Sequence, residues 1–163
     1  MIIIIVYFVY TNIFVLIIYT PEIMESTIKQ YCWKEKYTLN VEFLDEQHKK
    51  FLDIINLLKK HITNQDFNKE SISKIFYSLV YYAENYLVKE EIYLSNSKYP
   101  KFDDHRKEHN VFINRIIIFQ SDFRNNNKNI CINMLLFLEN WFDNHILIKN
   151  KEFAEYLIKN NIK

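Results

Sequence analysis

The amino-acid sequence predicts an all-α fold: an up-down-up-down antiparallel four-helix bundle preceded by an apolar N-terminal segment. Three observations support this. Glycine is absent and proline occurs only twice, which disfavours sheet folds that depend on tight turns. Four segments have apolar residues at steps of three and four, the period of an amphipathic helix. The polar stretches between them are short, so neighbouring helices are expected to run antiparallel.

The first helix is predicted from Asn40 to His61. Its apolar stripe, which also includes His48, is formed by Leu44, Phe51, Ile55 and Leu58. The opposite, solvent-facing side is expected to carry Lys49, Lys50, Lys59 and Lys60. Asp45 and Glu46 are expected to be exposed acids of the first turn, where negative charge is favourable.

The second helix is predicted from Ser71 to Ser95, with Tyr86 and Glu90 on its inward face. The chain then turns, because Tyr99 precedes Pro100 and is biased away from helical geometry.

The third helix is predicted to continue to about Phe123, with His105 and His109 facing inward. After a loop of three asparagines, the fourth helix has His145 on its apolar stripe.

The N-terminus divides the chain into residues 1–23 and a bundle over residues 24–163. Residues 2–19 contain no charge and reach the minimum length of a transmembrane helix. Two interpretations remain open: a membrane anchor, with the lysines after Pro21 placing the bundle in the cytoplasm, or a leader upstream of a natural start at Met24. The protein is therefore expected to be cytoplasmic, with or without an N-terminal anchor.

Composition disfavours several classes of function. The net charge is +1, from 21 basic and 20 acidic residues, so no overall field attracts nucleic acid. Cys32 and Cys131 are far apart and are expected to be unpaired thiols. No nucleophile motif is recognisable, and a glycine-rich phosphate loop requires glycine. The protein is not expected to be an enzyme.

A group of metal-ligand residue types falls on the inward faces of all four helices. His105 and His109 are an i, i+4 pair, whose imidazoles project from adjacent turns of one face. His48, Glu90 and His145 add one ligand type from each other helix. Polar groups in a core must be paired or coordinated, so these residues predict a metal centre in the bundle.

The sequence resembles the hemerythrin family, including its bacterial members, over roughly Trp33 to Phe153. The resemblance rests on the order and intervals of five motifs: Leu44-Asp45-Glu46-Gln47-His48, Glu90-Glu91, Tyr99-Pro100, His105-x3-His109 and Trp141-Phe142-x2-His145-Ile146. It implies two non-haem irons held by five histidines and two bridging carboxylates, with O2 binding at the open position of one iron.

By the resemblance, His105, His109 and His145 correspond to the three histidines of one iron. His48 corresponds to a histidine of the other iron, and Glu90 to a bridging carboxylate.

Two positions depart from the family pattern. Tyr86 stands where the resemblance implies a histidine, and Asn150 where it implies an aspartate. A tyrosinate from Tyr86 could replace the lost negative charge, since a phenolate can bind ferric iron. Alternatively, Glu152, seven residues after His145, could take over the bridging role if helix four continues.

The function implied by the resemblance is reversible O2 binding for carriage, storage or sensing, with iron as cofactor. Two alternatives remain open because of the departures. One is a single-metal or redox module that handles iron without cycling O2, its metal held by His105, His109, His145 and Glu90. The other is a metal-free structural bundle.

Overall fold

The computed structural model describes residues 4–10, 13–19, 30–127 and 129–162. It confirms the predicted four-helix bundle. The first and third helices of the bundle are uninterrupted: α1 is Glu42–Thr63 and α4 is Phe102–Arg124. The second helix of the bundle consists of α2 (Lys69–Tyr82), a π-helical turn (Ala83–Leu87) and α3 (Val88–Asn96). The fourth consists of α5 (Ile130–Trp141), a π-helix (Phe142–Lys149) and α6 (Asn150–Lys159).

The four helices of the bundle close into a ring. Helix α1 packs against α2 and α5, and α4 packs against α2, α3 and α5. A single 3-10 turn, Glu35–Tyr37, precedes α1. This arrangement leaves one interior that all four helices face.

The described part of the apolar N-terminus is extended. Strands β1 (Ile4–Tyr10) and β2 (Ile13–Tyr19) pair antiparallel, with Ile4 opposite Tyr19. Within residues 4–10 and 13–19 the chain therefore forms strands and not the transmembrane helix considered for residues 2–19, and their many β-branched residues favour strands. Across the described ranges, no helix has both the length and the apolar character needed to span a membrane. The boundary predicted between residues 23 and 24 lies outside the described residues.

Each helix of the bundle ends with a left-handed residue although the chain has no glycine. Those residues have φ between 52° and 57° and are Gln65, Lys98, Asn126 and Asn161. After each helix, the N–H groups of this residue and the next bond back to carbonyls of the last turn, as in Gln65 N to Ile62 O and Asp66 N to His61 O. This is the Schellman motif, in which glycine is usual. Sharp helix ends therefore form here at a steric cost that glycine would avoid.

The interior consists of two apolar clusters. The larger includes Phe51, Leu87, Phe112 and Ile146. The smaller, at the other end of the bundle, is formed by Leu39, Leu44, Leu94, Tyr99, Phe153, Ala154 and Leu157. His48, Glu90, His105, His109 and Asn150 are buried polar residues that lie, along their helices, between members of the two clusters. They form a polar layer with apolar side chains on both sides.

Two residues that were predicted to be exposed on α1 are buried. Lys59 is 3% exposed; its ammonium pairs with Glu139 at 2.8 Å and lies over the ring of Tyr31. Asp45 is 9% exposed, because its Oδ1 accepts the Leu39 N–H at 2.7 Å. Both predictions failed because distant parts of the chain supply partners that helical periodicity does not show: Glu139 on α5 and Tyr31 for Lys59, and the Leu39 backbone for Asp45.

Candidate metal centre

Four buried side chains from three helices of the bundle converge on one point. They are Glu90 from α3, His105 and His109 from α4, and His145 from the π-helix Phe142–Lys149, and one ligand atom of each lies within 4.8 Å of all the others. Their exposures are between 0% and 4%. Three imidazoles and one carboxylate are a donor set suited to iron, manganese or zinc. The structure thus brings together four of the five principal predicted ligands.

The imidazole orientations are fixed by carboxylates on their far sides. His109 Nδ1 lies 2.9 Å from Glu91 Oε1, and His145 Nδ1 lies 2.9 Å from Glu108 Oε2. Since a carboxylate only accepts, each Nδ1 donates its proton and each Nε2 keeps a lone pair. Metal-binding histidines commonly have this arrangement, in which the second nitrogen is held by an acceptor.

The two Nε2 atoms with lone pairs face each other inside the bundle. His109 Nε2 and His145 Nε2 are 3.2 Å apart, and Glu90 Oε1 is 2.7 Å from His105 Nε2 and 3.9 Å from His109 Nε2. Facing lone pairs repel unless a cation lies between them. Two nitrogens that bind one ion side by side at about 2.1 Å each are separated by about 3 Å. The donors therefore fit a metal ion.

The pKa shifts of His145 and Glu90 favour the protonation states that bind metal. Burial, reinforced by the neighbouring histidines, lowers the pKa of His145 well below its ordinary value. Burial alone would raise the pKa of Glu90, but the hydrogen bond from His105 and the proximity of His109 hold it below its usual range. Neutral imidazoles and an ionised carboxylate are the required ligand forms.

The fifth predicted ligand, His48, is buried but lies outside the four-residue cluster. Its Nε2 is 3.1 Å from Asn150 Nδ2, and the same amide nitrogen is 3.4 Å from Glu90 Oε2. His48 Nδ1 and Asn150 Oδ1 are buried and have no hydrogen-bond partner within the part of the chain that the structure describes. Burial lowers the pKa of His48 to about 4, against a smaller raising effect of Glu90. His48 is therefore neutral at pH 7.

Asn150 faces the centre because the fourth helix widens. A π-helix closes hydrogen bonds between residues i and i+5, so His145 and Asn150, five apart, both point inward. Asn150 is 1% exposed.

The same π-helix changes the position of Glu152. The prediction that Glu152 shares the face of His145 assumed regular α-helical spacing throughout. Instead, Glu152 Oε2 pairs with Lys101 at 2.8 Å at the surface, and Glu152 is not a member of the cluster.

Tyr86 lies in the π-helical turn of the second helix and is half-buried. Its ring packs on Tyr82 with centroids 5.3 Å apart, and its carbonyl accepts a bond from Gln47 at 3.3 Å. Tyr82 is the fully buried tyrosine of this region. Burial raises its pKa well above the ordinary value, and Glu90 adds to the shift.

Sequence reasoning did not identify Glu108 or the role of Glu91. Glu91 was visible only as part of a motif, and Glu108 directly precedes His109 on α4. Both carboxylates are partly exposed, at 26% and 37% of their side chains, so they resemble ordinary surface acids. A signal was available in their spacing, since Glu108 is three residues after His105 and next to His109.

Fold and centre together define a four-helix-bundle metal protein with a buried histidine–carboxylate cluster. The Hemerythrin HHE cation binding domain family matches residues 39–157, which is more than half of the chain. The chain belongs to the hemerythrin family, and the family prediction made from the motifs is confirmed.

Several relatives share most of the chain. The bacteriohemerythrin of Clostridium acetobutylicum is 30% identical over 130 residues, which cover 77% of this chain and 99% of that protein. The bacteriohemerythrin of Methylococcus capsulatus is 28% identical over 68% of this chain and 83% of that protein. The one from Stenotrophomonas maltophilia is 22% identical over 76% of this chain and 78% of that protein. The similarity thus extends over the whole bundle.

Proposed function

We propose that this protein is a non-haem iron protein that binds O2 reversibly, for carriage, storage or sensing, and that it is not an enzyme. Glu90, His105, His109 and His145 would hold the iron. A reduced iron with an open coordination position supplies reversible O2 binding. The contribution of the protein is to position the donors, fix their protonation and limit water.

The observation that carries the proposal is the pair of facing Nε2 atoms of His109 and His145. Their separation is 3.2 Å, and Glu91 and Glu108 hold the protons on the opposite nitrogens. A structural polar core would be expected to turn at least one of these nitrogens into a donor toward the other. In the neutral rings, the two nitrogens instead direct lone pairs toward one point, as a cation requires.

The surroundings favour O2 binding over water chemistry. Side chains of the larger cluster that are fully buried include Ile55, Leu79, Phe112 and Leu138. The ring of Trp141 stacks on His145 with centroids 4.1 Å apart. Apolar walls of this kind exclude water from a site and so slow oxidation of a reduced metal.

A second candidate is an iron-handling or redox module that does not cycle O2. It is favoured by the hydrogen bonds of Asn150 to His48 and Glu90, because they occupy groups that the resemblance assigns to a second iron. The two candidates differ in their response to O2.

The deciding experiment follows the absorption spectrum of the full chain, loaded anaerobically with ferrous iron, as O2 is admitted and then removed. Reversible O2 binding predicts a band that appears with O2 and disappears when O2 is removed. Irreversible oxidation on the first exposure would contradict it and support the second candidate. His145→Gln should abolish the band, whereas His61→Asn, a partly exposed histidine paired with Asp66, should leave it unchanged.

A further inference from the structure

The side of Glu90 that faces away from the three-histidine cluster is occupied by an amide. Glu90 directs Oε1 to His105 and Oε2 toward Asn150. Asn150 Nδ2 is 3.1 Å from His48 Nε2 and 3.4 Å from Glu90 Oε2. The amide nitrogen thus lies between the two atoms that a second metal ion would have to share.

An amide nitrogen in this position substitutes for a cation. Glu90 Oε2 can only accept a hydrogen bond, so the group facing it must be the NH2 of Asn150 rather than its oxygen. That NH2 has two hydrogens and no available lone pair, so it can serve both acceptors but cannot bind a metal.

We propose that this chain binds one iron, at the three-histidine cluster, and that the Asn150 amide closes the second position of the hemerythrin pattern. The inference rests on the proposed function in one respect: Glu90 and the three histidines must hold iron.

The charges support a single ion. The three-histidine side has Glu90 as a direct donor and Glu91 and Glu108 behind the imidazoles, which is ample charge for one divalent ion. A second divalent ion beside His48 would share only the fully buried Glu90, because position 150 provides no carboxylate. Uncompensated buried charge is strongly unfavourable.

His48 also differs from His109 and His145 in its surroundings. Carboxylates hold Nδ1 of His109 and of His145, but Nδ1 of His48 is buried and has no hydrogen-bond partner among the described residues. Because His48 Nε2 accepts from Asn150, the His48 proton lies on that unpartnered Nδ1. Metal-binding histidines almost always have an acceptor at the second nitrogen, so His48 is arranged to accept a hydrogen bond from the amide.

Tyr86, which stands where the family pattern has a histidine ligand, is packed among other aromatic rings. Its ring is half-buried and packs on Tyr81 and Tyr82. The hypothesis that Tyr86 ligates a second iron as tyrosinate and the one-iron inference exclude each other. A ferric-tyrosinate absorption band that is lost in Tyr86→Phe would overturn the one-iron inference.

The main test measures iron per chain in the full-length protein after anaerobic loading with excess ferrous iron and removal of unbound metal. One iron per chain is expected, and after oxidation it should give the electron paramagnetic resonance signal of an isolated high-spin ferric ion. Two irons per chain with a silent, magnetically coupled pair would overturn the inference even if O2 binding is observed. One iron without a reversible O2 band would support the inference and refute O2 binding. No iron would refute both.

A paired variant tests the role assigned to Asn150. Tyr86→His with Asn150→Asp restores the two ligand types of the family pattern and is expected to double the iron content. The matched control, Tyr81→His with Asn144→Asp, adds the same groups at exposed positions and should stay at one iron. If a folded Tyr86→His, Asn150→Asp protein holds no more iron than the control, Asn150 is not what closes the second position. If this variant does not fold, the stoichiometry of the unaltered chain still decides.

Discussion

Nε2 of His109 and Nε2 of His145 lie 3.2 Å apart inside the bundle, and each ring has its Nδ1 against a carboxylate 2.9 Å away. This relationship connects two partly exposed acids, Glu91 and Glu108, to the buried donors. It predicts that metal affinity depends on residues that do not touch the metal.

Replacing Glu91 or Glu108 by Gln should weaken metal binding by about 10- to 100-fold, because the uncharged amide is a weaker acceptor than a carboxylate and can also donate, so it fixes the imidazole tautomer less strongly. Competition with a chelator of known affinity measures the change. Glu155→Gln, a change of the same charge at an exposed position of α6, should have no effect. Equal affinity in all three variants would show that these carboxylates are ordinary surface acids.

The stability of the metal-free protein should fall as the pH is lowered from about 6.5 to about 4. Burial lowers the pKa of His48 to about 4 in the folded state, so within this window the unfolded chain binds a proton that the folded chain does not. The resulting loss from His48 is on the order of 3 kcal/mol. Urea unfolding across the pH range measures it.

His48→Gln provides the control for the pH effect. This variant should show a shallower dependence of unfolding free energy on pH, although not a flat one, because the pKa of His145 is also lowered. An unchanged slope in His48→Gln would mean that His48 is not held neutral in the folded protein.

Asp45→Ala should destabilise the protein by about 1–3 kcal/mol, since the Leu39 N–H would lose its acceptor in a buried position. Glu46→Ala, next in sequence but exposed and paired with Lys49 at the surface, should change stability by less than about 1 kcal/mol. Chemical denaturation compares the two. Similar small losses of unfolding free energy in both variants would show that Asp45 contributes no more than a surface acid.

Lys98→Gly should stabilise the protein by up to about 1 kcal/mol, because Lys98 has φ of 55° at the end of α3 and glycine adopts this conformation without steric cost. Lys50→Gly, the same replacement at an exposed position within α1, should destabilise by about 1 kcal/mol. Opposite signs in thermal unfolding would confirm the backbone explanation. Destabilisation by both would show that Lys98 contributes more than its backbone conformation.

The sequence was sufficient for the four helices and for the inward direction of His48, Glu90, His105, His109 and His145, because these depend on regular spacing. The sequence was not sufficient to place side chains where the helical repeat changes from α to π. The π-helix Phe142–Lys149 brings Asn150 inward and leaves Glu152 at the surface. We found no residue pattern that predicts this π-helix.

Residues whose environment depends on distant chain segments were also missed. Lys59 and Asp45 follow the periodicity of exposed positions, yet Glu139 and the Leu39 backbone bury them. Glu91 and Glu108 acquire their roles only when α3, α4 and the fourth helix of the bundle meet.

The most direct test of the metal centre is the iron content of His145→Gln compared with His61→Asn, both loaded anaerobically with ferrous iron as full-length chains. We expect His61→Asn to retain the iron of the unaltered protein and His145→Gln to lose it. His145→Gln should also lose the rise in melting temperature that a metal bound to the folded state provides. Equal iron and equal melting temperatures in the two variants would contradict a centre built on Glu90, His105, His109 and His145.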